Sequence, residues 1–169
     1  GMFQNPATDA QAENNRAPQF ARVNRVVGLG GKTRDTQVKT FKAKGVDGNL
    51  EAVRELSILE ICSGHPNVIQ MIDVFGAPGG KVAIAMEYGG KPLHHAIRAE
   101  VLQPFLRPLA QQLLSGLNFV HSKGVVHNDL KPANVLWDPR VAHEPRLRIC
   151  DFGTSFLERS RVVLPDEVL

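Results

Sequence analysis

The sequence predicts an α+β protein, with a strand-rich first half carrying one helix and a more helical second half. Three patterns point there. Apolar residues alternate through Phe20 to Val27 (FARVNRVV), and β-branched residues crowd Asn67 to Phe75 (NVIQMIDVF) and Lys81 to Tyr88 (KVAIAMEY), as in strands. From Phe105 to Ser122 apolar residues recur at helical spacing, placing Leu106, Leu109, Leu113, Leu117 and Val120 on one face. Between residues 119 and 153 two short apolar runs, NVLW and LRIC, bracket a turn-rich spacer, the pattern of a hairpin.

Residues 1 to 18 are polar and aperiodic, the composition of a disordered tail. After the first strand, Gly28-Leu29-Gly30-Gly31 makes a turn, and QVKTF is a short second strand. Asp47 to Cys62 reads as a helix, with Asn49 as N-cap, Glu51 at the positive end of the dipole, and Val53, Leu56, Leu59 and Ile61 near one apolar face. The Gly-Pro-rich APGG then joins two strands. Leu93 to Ala99 is a short helix broken before Pro104, ahead of the long amphipathic helix.

Bulk properties bound the function. A chain of 169 residues suffices for one domain and one core. Twenty Lys and Arg against 17 acidic residues leave a net charge of +3, too small and scattered for a nucleic-acid surface. Two distant cysteines, Cys62 and Cys150, imply a reduced intracellular protein, placed in the cytoplasm with the nucleus left open. The six histidines offer no zinc-ligand spacing, and no run of about eighteen apolar residues suggests a membrane span. No internal repeat and no signal peptide are visible.

The chemistry concentrates at the hairpin. Asn134 and Asp151 flank its two apolar runs, so a hairpin brings both to one end, where their oxygens suit Mg²⁺ against a phosphate. A candidate base, Asp129, lies five residues before Asn134, with Lys131 between them.

At these residues the chain resembles the eukaryotic protein kinases. HNDLKPANVL, residues 127 to 136, is similar to the catalytic loop H-R-D-L-x-x-x-N, and Asp151-Phe152-Gly153 is similar to the D-F-G motif. LKPAN resembles the serine/threonine kinases more than the tyrosine kinases. The resemblance implies a protein-kinase-like two-lobe fold, with a β-rich N-lobe holding one helix over residues 19 to 88. Residues 89 to 169 would be the hinge and the start of a helical C-lobe, incomplete because no A-P-E motif follows Gly153. It implies transfer of the ATP γ-phosphate to a Ser or Thr hydroxyl of a protein substrate, with ATP and Mg²⁺ as cofactors and room for a regulatory protein partner. By resemblance Asp129, Lys131 and Asn134 are catalytic, and Asn134 and Asp151 hold the metal. Lys39, rather than Lys42 or Lys44, would hold the nucleotide phosphates and pair with Glu55, under a glycine loop at Gly28 and Gly30. Met86 takes the gatekeeper place, the backbone at Glu87 and Gly89 would meet adenine, and Leu136 would lie beside the base. Leu59, Met71, His127 and Phe152 fall where kinases stack a regulatory spine, and Cys150 reads as an inert buried thiol.

The chain departs from the pattern in four places. Asn128 replaces the arginine that usually pairs with an activation-loop phosphate, so phosphorylation of Thr154, Ser155 or Ser160 is not expected to act as a switch through this loop. Thr33 stands where a third glycine is usual, and Gln37 replaces the small alanine that packs on adenine. Gly28 and Lys39 are only 11 residues apart (39 − 28), short for the family's strand-turn-strand. With these departures weak ATP binding is expected of the 169-residue chain, and the rival assignment is a non-catalytic kinase-like binding or regulatory module.

Overall fold

A computed structural model describes residues 20–27, 33–41, 45–77, 80–98, 102–138, 140 and 145–158. Four strands form one antiparallel sheet in the order β1-β2-β4-β3: β1 (Phe20–Val27), β2 (Thr33–Thr40), β3 (Met71–Ala77) and β4 (Lys81–Glu87). β4 lies between two neighbours, and its Ala83, Ile84, Ala85 and Met86 are all buried. Alternation along a strand divides them between two faces. Ile84 and Met86 enter the main core, while Ala83 and Ala85 pack with Val38 on the other face.

The helix α1 (Gly45–Ile61) covers the main-core face. It starts earlier than its sequence suggests, so Asn49 lies inside the first turns rather than capping them. Among its residues from 50 onward, Ala52, Glu55, Ile58 and Leu59 are buried, followed by Cys62 just past its end, whereas Val53 is exposed. Leu56 and Ile61 pack only partly against the core. The helix is therefore rotated from its most apolar face. The cause is Glu55, which must face inward to meet Lys39, and at about 100° per residue that turns Val53 outward.

The apolar run 67–75 is divided between two partners. Only its later part joins the sheet as β3, with a bulge between Met71 and Asp73. Its beginning is tied to strand β8 (Arg146–Ile149): Val68 bridges Ile149 in parallel, Ile69 N–H donates to Ile149 O at 2.9 Å, and Ile149 N–H donates to Asn67 O at 2.8 Å. This stitch joins the sheet to the second half of the chain.

There, β5 (Lys91–Pro92) pairs with β7 (Val135–Asp138), and β7 pairs with β8. Gly90 makes the entry to β5 with φ +109°, and a Cβ there would sit 2.2 Å from Trp137 O, so glycine is required on two counts. The short helix α2 (Leu93–Arg98), a 3₁₀ turn at Gln103–Phe105 and the long helix α3 (Leu106–Ser122) follow. α3 buries Leu109, Gly116 and Val120 and packs Leu113 and Leu117 partly, but Leu106, on the expected apolar face, is exposed. β6 (Val125–Val126) pairs with β9 (Phe156–Leu157) and closes the loop that carries Asp129. Among the described residues no helix is long and apolar enough to cross a membrane.

Gln112 on α3 fixes the hairpin to this helix. Its Oε1 accepts from Leu147 N–H at 2.8 Å and from Asn67 Nδ2 at 3.2 Å, and its Nε2 donates to Pro145 O at 3.0 Å. Truncation strands the buried Leu147 amide, so Gln112→Ala is expected to lower unfolding stability by about 1–3 kcal/mol, read from the urea midpoint.

Candidate active site

Lys39 leaves β2 on the face covered by α1. Its Nζ lies 2.5 Å from Glu55 Oε2 and 2.7 Å from Asp151 Oδ1, with the Lys39 and Glu55 side chains almost fully enclosed. Burial works against the charge on Lys39, yet the Glu55 and Asp151 carboxylates more than offset it and hold its pKa above the ordinary value. For Glu55 burial prevails over the attraction of Lys39, so its carboxyl is pushed up. Lys42, the rival in the sequence, lies outside the described residues, as does Lys44.

The β7–β8 hairpin delivers the next two groups. Val135 faces Ile149, and Cys150 N–H donates to Asn134 O at 2.9 Å, so Asn134 and Asp151 emerge at the same end. Asp151 has φ +66°, a left-handed backbone that Asn and Asp tolerate better than other side chains. The intervening Cys150 is buried, and burial drives its thiol pKa far above the ordinary value, which makes it unreactive.

Asp129 stands at the centre of a second cluster. Its Oδ2 accepts from Lys131 Nζ at 2.7 Å and from Asn134 Nδ2 at 2.9 Å. Asn134 Nδ2 also reaches Asp129 O at 2.8 Å. The Lys131 hydrogen bond above all holds the Asp129 carboxyl below its usual range, so it is ionised and faces solvent at 37% exposure. The Asn134 side-chain nitrogen is thus committed to Asp129.

His127 supports this loop in a way its sequence position did not reveal. Its Nε2 lies 3.0 Å from Cys150 O, which can only accept, and its Nδ1 accepts from Asp129 N–H at 3.3 Å. The ring is thus neutral with its proton on Nε2, in line with burial lowering its pKa. Its ring packs tilted against Phe152, with 4.9 Å between centroids and 52° between planes, and Leu59, Phe152 and Met71 share the main core.

Met86 is buried in that core, directly across from Gln37 in the β2–β4 register. Beyond it, Glu87 N–H donates to Gln70 O at 2.9 Å, and Glu87 Oε1 lies 2.9 Å from Arg148 Nε, a charge contact without hydrogen-bond alignment. Gly89 is buried on Leu136, and a Cβ there would fall 2.4 Å from Leu136 Cδ1. The Gly89 N–H donates to Gln37 Oε1 at 3.3 Å, a contact signalled beforehand only by the unusual residue type at position 37. Asn128 takes φ +63°, and its Nδ2 meets Thr154 O at 3.5 Å. The Ser155 hydroxyl is buried and donates to His127 O at 3.0 Å, which hides it from modification, whereas Ser160 lies outside the described residues.

Gly28 and Gly30 also lie outside the described residues. The strands around them pair Val27 with Thr33 and Phe20 with Lys39. Thr33 therefore stands six residues along β2 from Lys39 (39 − 33), a separation of roughly 20 Å at 3.3 Å per residue.

Among the described residues no group of three or more His, Cys, Asp or Glu forms a metal cluster. Asn134 and Asp151 supply two hard oxygen groups at one end of the hairpin, which fits Mg²⁺, an ion that takes few protein ligands and fills its shell with water and phosphate.

A sequence profile of the protein kinase domain matches residues 19–165. The chain is 40% identical over 110 residues to CBL-interacting protein kinase 28 of Oryza sativa subsp. japonica, a match covering 64% of this chain and 24% of that protein. It is 39% identical over 106 residues to mitogen-activated protein kinase HOG1B of Wallemia ichthyophaga, covering 62% of this chain and 27% of that protein. To mitogen-activated protein kinase sty1 of Schizosaccharomyces pombe it is 37% identical over 106 residues, covering 62% and 29%. The chain belongs to the protein kinase domain family, and its matches span about a quarter of the length of these curated relatives.

The buried charges make a stability prediction. Lys39→Met strands Glu55, a change of the kind that costs about 3–5 kcal/mol near neutral pH. Without Lys39 the folded-state pKa of Glu55 rises further above its ordinary value of 4.5, so the contribution of Glu55 to stability is fullest at low pH and is lost as pH rises through that folded pKa. Thermal unfolding should show Lys39→Met more destabilised, relative to the parent chain, at pH 8 than at pH 5 (roughly the two sides of such a shifted carboxyl). Adding Glu55→Gln should remove most of that difference.

Proposed function

We propose that this chain is the catalytic region of a protein serine/threonine kinase, which transfers the γ-phosphate of ATP to protein hydroxyls. On this view residues 19–88 form the small lobe, and residues 89–169 form the hinge and the beginning of the large lobe. One observation carries the proposal: Lys39 meets both Glu55 and Asp151, while Asp129, Lys131 and Asn134 are joined through one carboxylate oxygen.

The roles follow from charge and position. Lys39, held by Glu55, would orient the α- and β-phosphates, and its contact with Asp151 sets it beside the metal end of the hairpin. Asn134 and Asp151 would hold Mg²⁺, which when bound neutralises charge on the phosphate oxygens. Asp129 is ionised and would accept the proton of an incoming Ser or Thr hydroxyl. Lys131, already on Asp129, would steady the charge of the phosphoryl group in transit. The backbone after Met86, at Glu87 and Gly89, with Leu136 beneath, would receive the base. The two buried thiols suit a reducing, intracellular setting, with the cytoplasm the simplest placement. A regulatory protein partner fits Asn128, which cannot form the bidentate ion pair with a loop phosphate.

The Gln37–Gly89 contact favours a second reading, a kinase-like module that binds without transferring phosphate. Label transfer from γ-labelled ATP to a basic protein substrate, measured on the protein that carries this segment, separates the two. Asp129→Asn is expected to lower transfer by about 10²–10⁴-fold with Mg-ATP binding retained. Equal transfer by the parent and this variant, or none by either, would set the catalytic assignment aside.

A further inference from the structure

Gln37 and Lys39 stand two residues apart on β2, so the pleat sends both side chains to the same face of the sheet. Lys39 spends its reach on Glu55 and Asp151. Gln37 reaches the chain just past β4, where the Gly89 N–H donates to its Oε1 at 3.3 Å. Gly89 is buried on Leu136, so its amide needs a partner, and here that partner is a side chain rather than backbone. A flat ring lying on Leu136 and accepting from Gly89 must first displace the Gln37 amide.

We propose that Gln37 sets the base affinity of this cleft by occupying the Gly89 N–H with its own amide, so that a purine enters only by exchanging one hydrogen bond for another. The proposal deepens the nucleotide-site reading above and rests on it. Its chemical consequence is a division of the site. On the base side the ligand gains little from Gly89, because the donor it would use is already satisfied and the glutamine it displaces must find new partners. On the phosphate side, Lys39 pairs with Glu55 and Asp151, and Asn134 pairs with Asp129. Recognition is therefore weighted toward the polyphosphate.

Dissociation constants for Mg-ATP and for Mg-tripolyphosphate, which has the phosphates and no base, test this on the parent chain, Gln37→Ala and Gln37→Met. Gln37→Ala frees the Gly89 donor and should bind Mg-ATP about fivefold more tightly, the scale of one neutral hydrogen bond, with tripolyphosphate unchanged. Gln37→Met keeps the bulk without the acceptor, and should gain less than the alanine variant yet bind Mg-ATP more tightly than the parent. In the ligand-free protein the Gly89 amide resonance should move in both variants. An unmoved resonance, or unchanged Mg-ATP affinity in the variants, overturns the role of Gln37 and leaves the nucleotide site standing. A parallel gain for tripolyphosphate also overturns it, since the effect would then not lie at the base. If the alanine variant does not fold, the methionine variant decides by the same criteria. Binding of neither ligand to any of the three proteins would remove the nucleotide site itself, and this proposal with it.

Discussion

The enclosed ammonium of Lys39 is the constraint from which most of this structure follows. A cation held almost out of water needs anions within reach, and it has two, from places far apart in the chain. Glu55 answers from α1 and so decides which face of that helix turns inward, against the pull of its more apolar side. Asp151 answers from the end of the β7–β8 hairpin and so anchors that end beneath the sheet. Because Glu55 is held at some cost in burial, the arrangement is a positioning device before it is a stabilising one. Three elements are aligned by one group.

What was legible in the sequence was mostly local. The hairpin of NVLW and LRIC pairs nearby segments, and its strand ends were fixed by the polar residues flanking each apolar run, so Asn134 and Asp151 were expected together before any tertiary contact was considered. The Lys39–Glu55 pair was legible only through resemblance, since nothing local in a strand lysine and a helix glutamate announces that they meet. The errors have tertiary causes. The stripe at Val53 was drawn from hydrophobicity, which does not count a buried charge as an inward residue. Asn67 to Phe75 reads as one strand because both halves are apolar, and its division between β4 and β8 as partners depends on a tertiary contact with Ile149, distant in sequence.

The contacts that sequence reasoning missed share a character. Gln37 with Gly89, Glu87 with Arg148, and His127 with the backbone at Cys150 and Asp129 all join a side chain to a distant segment. Each surrounds the acidic and basic groups without being one of the usual reacting residues. A motif records the groups that react. The surrounding contacts set how firmly those groups are held and what is allowed beside them, and they are visible only when the segments meet.

The left-handed backbone at Asp151 has a consequence for how freely this position can vary. Two independent filters act there. The dihedral angle admits glycine, asparagine and aspartate with least strain, and the ammonium of Lys39 asks for a carboxylate. Glutamate keeps the charge but lacks the short side chain that eases this conformation, and asparagine keeps the conformation but gives up the charge. The two sets overlap in a single amino acid. Drift at this position therefore has no neighbouring residue through which to pass gradually, and a lineage that leaves aspartate behind gives up either the ion pair or an unstrained turn in one step.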